Sequence, residues 1–216
     1  ARDKFLNPDC KPICRQTAAL DVFKRFEIEK AKLIDVFAKH NGRVCLTADL
    51  WSSRSTVTGY ICVTSHYIDE SWRLNNKLLA FCDLKPPHNG EEIAKKIYDC
   101  LKEWGLEKKI LTITLDNASA NTSMQTILKH RLQSGNGLLC GGKFLHVNDD
   151  LFELESSLIS ASKSTKSTLE IYLDDEPRLE MKTFSDMEIL SFWKENQHRY
   201  GDLASMASDL LSIPIT

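Results

Sequence analysis

Two aspartates carry the chemistry most worth pursuing in this sequence. Asp49 follows β-type residues in Val44-Cys45-Leu46-Thr47-Ala48, and Asp116 closes the apolar run Ile110 to Leu115 just before a helix-forming stretch. If the second run lies beside the first in one sheet, both carboxylates leave it close together. Paired carboxylates with oxygen-only chemistry suit Mg2+, which takes one or two protein oxygens and fills its shell with water and substrate phosphate. Two such ions clamp the attacking and leaving oxygens of a phosphodiester displacement. Plainer uses also fit: Asp49 as a strand-end cap, and Asp116 in Asp116-Asn117 as a helix N-cap. The residues alone leave both readings open.

The cysteines point away from metal. There are 7 of them, an odd number, and Cys45, Cys62 and Cys82 sit inside apolar, strand-like runs, as reduced core thiols do. That indicates a reducing compartment, cytosol or nucleus. Cys10 and Cys14 have a tolerable pair spacing, but no second Cys/His pair follows at finger-like distance, and His66, His88 and His130 are scattered singly. No zinc site is expected.

Elements able to position the two aspartates follow from periodicity. After a turn-rich start, Leu20, Phe23, Phe26, Leu33, Ile34 and Phe37 recur at helical spacing, so 17–40 reads as one helix stopped by Asn41-Gly42. Val44–Trp51, Tyr60–Ile68 and Leu74–Asp83 are three strands with connections short enough to make them antiparallel neighbours. Pro86 to Gly90 leads into an amphipathic helix, Glu91–Trp104, ended by Gly105. Ile110–Leu115 is a buried strand reached by that crossover, a further helix ends near Gln133, and Phe144–Val147 is a last short strand. The class is mixed α/β, with Val44–Leu50 central between Tyr60–Ile68 and Ile110–Leu115.

Beyond Val147 the chain turns acidic and then Ser/Lys-rich, which reads as a linker over 148–168. A short ordered patch, Leu169–Leu173, precedes two closing helices, near 186–198 and 202–211. Ile189, Leu190, Phe192, Trp193, Leu203, Met206, Leu210 and Leu211 give these helices apolar faces that cannot stand alone in water. Pairing between chains is the expected route to bury them, with docking on the sheet as the rival. The formal net charge of −2 gives no general pull towards polyanions, and no apolar run approaches the roughly 20 residues that span a bilayer. Lys95-Lys96, Lys102, Lys108-Lys109 and His130-Arg131 are basic positions for phosphate, or simply solvated helix faces.

Several linked words in order carry a resemblance. Leu46-Thr47-Ala48-Asp49-Leu50-Trp51-Ser52-Ser53, Tyr60 to Asp69, Trp72-Arg73-Leu74, Pro87-His88-Asn89-Gly90 and Thr114 to Asn121 resemble the hAT family of cut-and-paste DNA transposases, closest to plant RICESLEEPER-like members with a BED zinc finger. Leu169 to Leu173, Ile189 to Lys194, Tyr200 and Leu210 to Pro214 are similar to that family's C-terminal dimerisation segment.

The resemblance implies an RNase H-like fold with a short helical tail, divided as an N-terminal helical segment over 1–42, a partial core over 43–147, the linker, and a partial dimerisation segment over 169–216. It places the first two catalytic carboxylates, and any weakly held Mg2+, on Asp49 and Asp116. It also implies three departures. The BED finger belongs ahead of this start, a helical insertion belongs after His146-Val147, and a third catalytic Glu belongs after Ile213-Pro214. Three readings follow. The first is a transposase-derived protein that is catalytically inactive, DNA-associated, dimerising and nuclear. The second is an active Mg-dependent nuclease with Asp83, Glu153 or Glu155 as substitute acid. The third is an interaction module that pairs with full-length relatives.

Overall fold

The structure is a computed structural model and describes residues 13–52, 58–84, 89–115, 119–134, 143–146, 172 and 188–214. It divides into two units, Ala1–Lys39 and His40–Thr216. In the first, helix α1 runs Arg15–Lys39, held on its surface by i,i+3 and i,i+4 pairs such as Lys39 to Asp35 at 2.7 Å. Phe37 is its buried residue, while Phe23 and Phe26 are exposed.

The second unit is a five-stranded sheet of order β3-β2-β1-β4-β5. Its strands are β1 (Val44–Ser52), β2 (Gly59–Ile68), β3 (Leu74–Leu84), β4 (Ile110–Leu115) and β5 (Lys143–His146). β1 pairs antiparallel with β2, β2 antiparallel with β3, β1 parallel with β4, and β4 parallel with β5. Each parallel step is spanned by a helix, α2 (Gly90–Trp104) and then α3 (Ser119–Ser134), because a parallel neighbour needs a crossover. The central place expected for Val44–Leu50 is the one observed.

Strand alternation explains which face is covered. Leu46 and Ala48 on β1 register with Ser65 and Val63 on β2, and all four are buried. Ile113 and Leu115 of β4 pair with Leu46 and Ala48 and are buried with them. Ile93, Ile97 and Leu101 of α2 and Met124 and Leu128 of α3 supply the fully buried helix side chains of the core. The two helices pack so closely that a Cβ added to Gly90 would meet the Met124 backbone nitrogen at 2.6 Å, which is why glycine opens α2. Asn89 caps α2 by accepting from the Glu92 N–H at 2.9 Å, and Gly105 ends it with φ 66°.

A bulge between Val63 and Thr64 leaves Leu79 as the extra residue of β3. Leu79 is buried, and its carbonyl accepts from the Trp104 indole N–H at 3.1 Å. One device thus adjusts the edge strand and satisfies the buried indole.

The tail has the two closing helices expected, joined end to end. α4 runs Ile189–Leu211 as one span, yet Gly201 inside it has φ 41° and ψ −110°, so two helical halves meet at a kink. That backbone angle suits glycine, since an L side chain there is strained. The linker, and Leu169–Leu173 apart from Tyr172, lie outside the described residues.

Leu101→Ala removes a side chain with no exposed surface, wedged between helix and sheet. We expect it to lower unfolding free energy by about 2–5 kcal/mol in urea titration with the m-value unchanged.

Candidate functional site

β1 presents Cys45, Thr47, Asp49 and Trp51 to the sheet face opposite α2 and α3, because alternate residues share a face. Asp49 is exposed near the end of the strand. Its register partner on β2 is Cys62, which pairs in turn with Phe81. On the β4 side, Leu115 is the partner of Ala48. Asp116 lies outside the described residues; it follows Leu115 in the chain as Asp49 follows Ala48.

Beside Asp49 the face is polar at Thr47, His66 and the β4 threonines, and aromatic at Trp51, Tyr60 and Phe81. The Thr47 hydroxyl meets His66 Nε2 at 3.2 Å, and burial lowers the His66 pKa, so its ring is neutral. The hydroxyl of Thr114 is buried with no hydrogen-bond partner among the described residues. Towards β3, Trp51 stacks on Tyr60 at 6.2 Å and Tyr60 on Phe81 at 5.8 Å, with Trp51 and Phe81 well exposed.

The other acidic candidates fall elsewhere. Asp83 pairs with Tyr60, two strands from β1, so its backbone is about 10 Å to the side. Glu153 and Glu155 lie outside the described residues. No group of three His, Cys, Asp or Glu side chains is poised for a metal among the described residues. An exposed carboxylate at a strand end does match what Mg2+ accepts, one or two protein oxygens with water completing the shell. Of the basic positions, Lys95, Lys96, Lys102 and Lys108 are exposed, whereas the Lys109 ammonium donates to the His40 carbonyl at 2.6 Å and is structural.

The tail docks at the opposite end of β1 and β2. Ile68, Trp72, Tyr200 and Ala204 form a buried cluster, with Leu190, Phe192, Trp193, Leu203 and Leu211 packed around it. Tyr172 stacks on Trp193 at 5.6 Å and meets Tyr200 edge-on at 5.4 Å. A second cluster joins Cys45, Leu111 and Ile213, with Leu210 against it. Docking on the sheet, the rival route to burial, is thus seen within one chain: the sheet partly shelters six of the eight tail side chains. Ile189 remains 54% exposed, and Met206 is half-buried outside both clusters.

Trp72, which the sequence offered only as part of a resembling word, is an anchor of the joint. It sits in the β2–β3 turn at φ 60°, where Asp69 Oδ1 accepts the Ser71 and Arg73 N–H groups at 2.9 and 3.0 Å. Its indole N–H donates to Gln197 Oε1 at 3.0 Å. A tryptophan inside the polar turn Asp69-Glu70-Ser71 was the available signal, since an indole there needs cover.

Three polar contacts complete the joint. The Arg43 N–H donates to Asp209 Oδ1 at 2.9 Å, and the Ser212 hydroxyl donates to the Asp209 carbonyl at 2.7 Å. With that proton committed, the Cys45 thiol donates to Ser212 Oγ at 3.2 Å. Burial pushes the Cys45 pKa up, so it stays a protonated thiol. A pocket of about 630 Å3 remains between the β2–β3 turn, the 40–43 loop and α4.

Three antiparallel strands followed by two parallel ones, with crossover helices on one face, define an RNase H-like domain, here carrying a docked helical tail. The family comparisons agree: residues 47–144 match the ZBED1 RNase-like domain and residues 168–216 the hAT family C-terminal dimerisation region. The chain is a hAT-like, transposase-derived protein that carries the dimerisation region of that family.

Among its relatives is the putative AC transposase of Zea mays, 31% identical over 67% of this chain and 18% of its own length. The BED zinc-finger protein DAYSLEEPER of Arabidopsis thaliana is 31% identical over 56% and 17%, and RICESLEEPER 2 of Oryza sativa 29% over 66% and 20%. The chain thus spans about a fifth of the length of these relatives. The Mos1 transposase catalytic domain aligns over 83% of this chain and 90% of its own at 15% identity, with a TM-score of 0.29. At that value the strand order and the family matches decide the fold.

The tail joint has its own pH dependence. Burial raises the Asp209 pKa, so its ionised form costs stability: the cost is absent below the unfolded pKa and grows as pH rises through the folded one. Burial lowers the His40 pKa, so stability is lost as pH falls through the unfolded value towards the folded one. Asp209→Asn keeps the acceptor for the Arg43 N–H. It is expected to raise the melting temperature at neutral pH while leaving the acid-side fall from His40, as read by thermal melts between about pH 4 and pH 7.

Proposed function

We propose that this chain is a DNA-associated, homodimerising, transposase-derived nuclear protein whose RNase H-like sheet does not itself cut or join DNA. The observation that carries the reading is the joint between its two matched regions. The tail matched as a dimerisation region rests on the sheet matched as RNase-like, through Trp72 to Gln197 and Cys45 to Ser212. A pairing element is thereby fixed to a catalytic-type scaffold.

Asp49 and Asp116 are the positions we assign to the vestigial metal site. Their support is the pairing of Ala48 with Leu115, one residue before each, on adjacent parallel strands. Mg2+ bound there would supply electrostatic stabilisation of phosphate oxygens. Asp49 would offer one carboxylate, and neutral His66 holds Thr47 in place beside it. Among the described residues no third acid joins Asp49, and two carboxylates by themselves would hold one such ion weakly. The exposed Lys95, Lys96 and Lys102 on α2 supply the weak phosphate contacts.

Purified chain incubated with supercoiled plasmid in Mg2+ or Mn2+ is expected to give no nicking above buffer, and Asp49→Ala to leave that baseline unchanged. Metal-dependent nicking abolished by Asp49→Ala would replace this reading with an active nuclease. Size-exclusion chromatography with light scattering should give a dimer at micromolar concentration. A shift of duplex DNA in low salt, lost as salt rises, separates DNA association from a pure pairing module, which would show no shift.

A further inference from the structure

The tail is held to the sheet by contacts that do not depend on which chain supplies it. The socket is the β2–β3 turn with Trp72 and Ile68, together with Arg43 and Cys45 at the start of β1; the plug is Gln197, Tyr200, Ala204, Asp209, Ser212 and Ile213. Sheet and plug are separate along the chain. Between His146, the last residue of β5, and Tyr172, which stacks on the plug, run residues 147–171. At about 3.3 Å per residue that stretch has a reach limit of roughly 80 Å, enough for the plug to enter its own socket or a neighbour's.

The apolar surface is not closed when one chain supplies both parts. Leu190, Phe192, Trp193, Leu203 and Leu211 stay only partly buried around the socket. Ile189 on the plug is 54% exposed and Leu74, paired with Ile68 at the socket, is 53% exposed. A second chain brings a second copy of this rim, and a two-fold pairing covers both at once.

Resting on the dimer reading above, we infer that the partner at this socket is the tail of a second copy: the protein dimerises by exchanging α4, each plug seated on the other chain's Trp72 turn. Exchange keeps every contact of the joint and adds rim-to-rim burial around it. The dimer interface is therefore the joint together with the rim around it.

The test uses Ser212→Cys, which sets a thiol against Cys45 where the side-chain atoms now lie 3.2 Å apart. Equal amounts of 14N- and 15N-labelled full-length chain are unfolded, mixed, refolded and oxidised with copper-phenanthroline, which accepts the two electrons released as the two thiols lose their protons. Disulfide-linked peptides joining position 45 to position 212 are then read by mass spectrometry, with Cys45→Ser/Ser212→Cys as control. Exchange predicts a covalent dimer on non-reducing gels, with about half of the linked peptides pairing a 14N with a 15N partner. A dimer by light scattering whose linked peptides never mix isotopes overturns the exchange and leaves the dimer reading standing. A monomer at all concentrations overturns both. If Ser212→Cys loses helix content, benzoylphenylalanine at Trp193 replaces it: photo-crosslinks to 68–73 of the other isotope support exchange, and same-isotope crosslinks alone refute it.

Discussion

Everything in the second unit depends on β1 being paired along both edges, antiparallel to β2 and parallel to β4. A buried strand cannot leave its N–H and C=O groups unmet, and each unmet pair costs as much as a lost hydrogen bond. Once β2 and β3 occupy one side by short turns, the other side is open only to a strand arriving by crossover. α2 makes that crossover, and its apolar face of Ile93, Ile97 and Leu101 is what the sheet underside needs. The order β3-β2-β1-β4-β5 is thus a consequence of satisfying β1.

The same strand serves two chemically different ends. Near its start, Cys45 faces Ser212 and Ile213 and is sealed by the tail. Near its finish, Asp49 and Trp51 are exposed on the same face. A covered beginning and an open end follow from the tail reaching only the end of the sheet beside Ile68 and Trp72. The rigid end fixes the strand; the open end leaves a carboxylate and an aromatic stack facing solvent.

Much of the plan was legible in advance. The β-branched and aromatic run Tyr60 to Ile68, the loop Pro86 to Gly90 ahead of α2, the stop Gly105 and the apolar run Ile110 to Leu115 are local signals, and these elements lie within a residue or two of their expected bounds. Asp49 was legible as a strand-end residue for the same reason. Asp83 is set apart from it by β2, which lies between their two strands. The role of Trp72 was not legible because it depends on Gln197, 125 residues away along the chain.

What the sequence determined by itself was the identity and order of the elements, since propensity, capping and hydrophobic period act over a few residues. It also determined that the tail had to be buried, because short helices bearing Phe192, Trp193 and Tyr200 are unstable bare in water. Where the tail goes was decided only by the tertiary structure. Docking requires that an indole in an αL turn, a glutamine on a helix, and a thiol at a strand start meet across long stretches of chain. Long-range complementarity of that kind has no local signature, because each partner alone is an ordinary residue in an ordinary element.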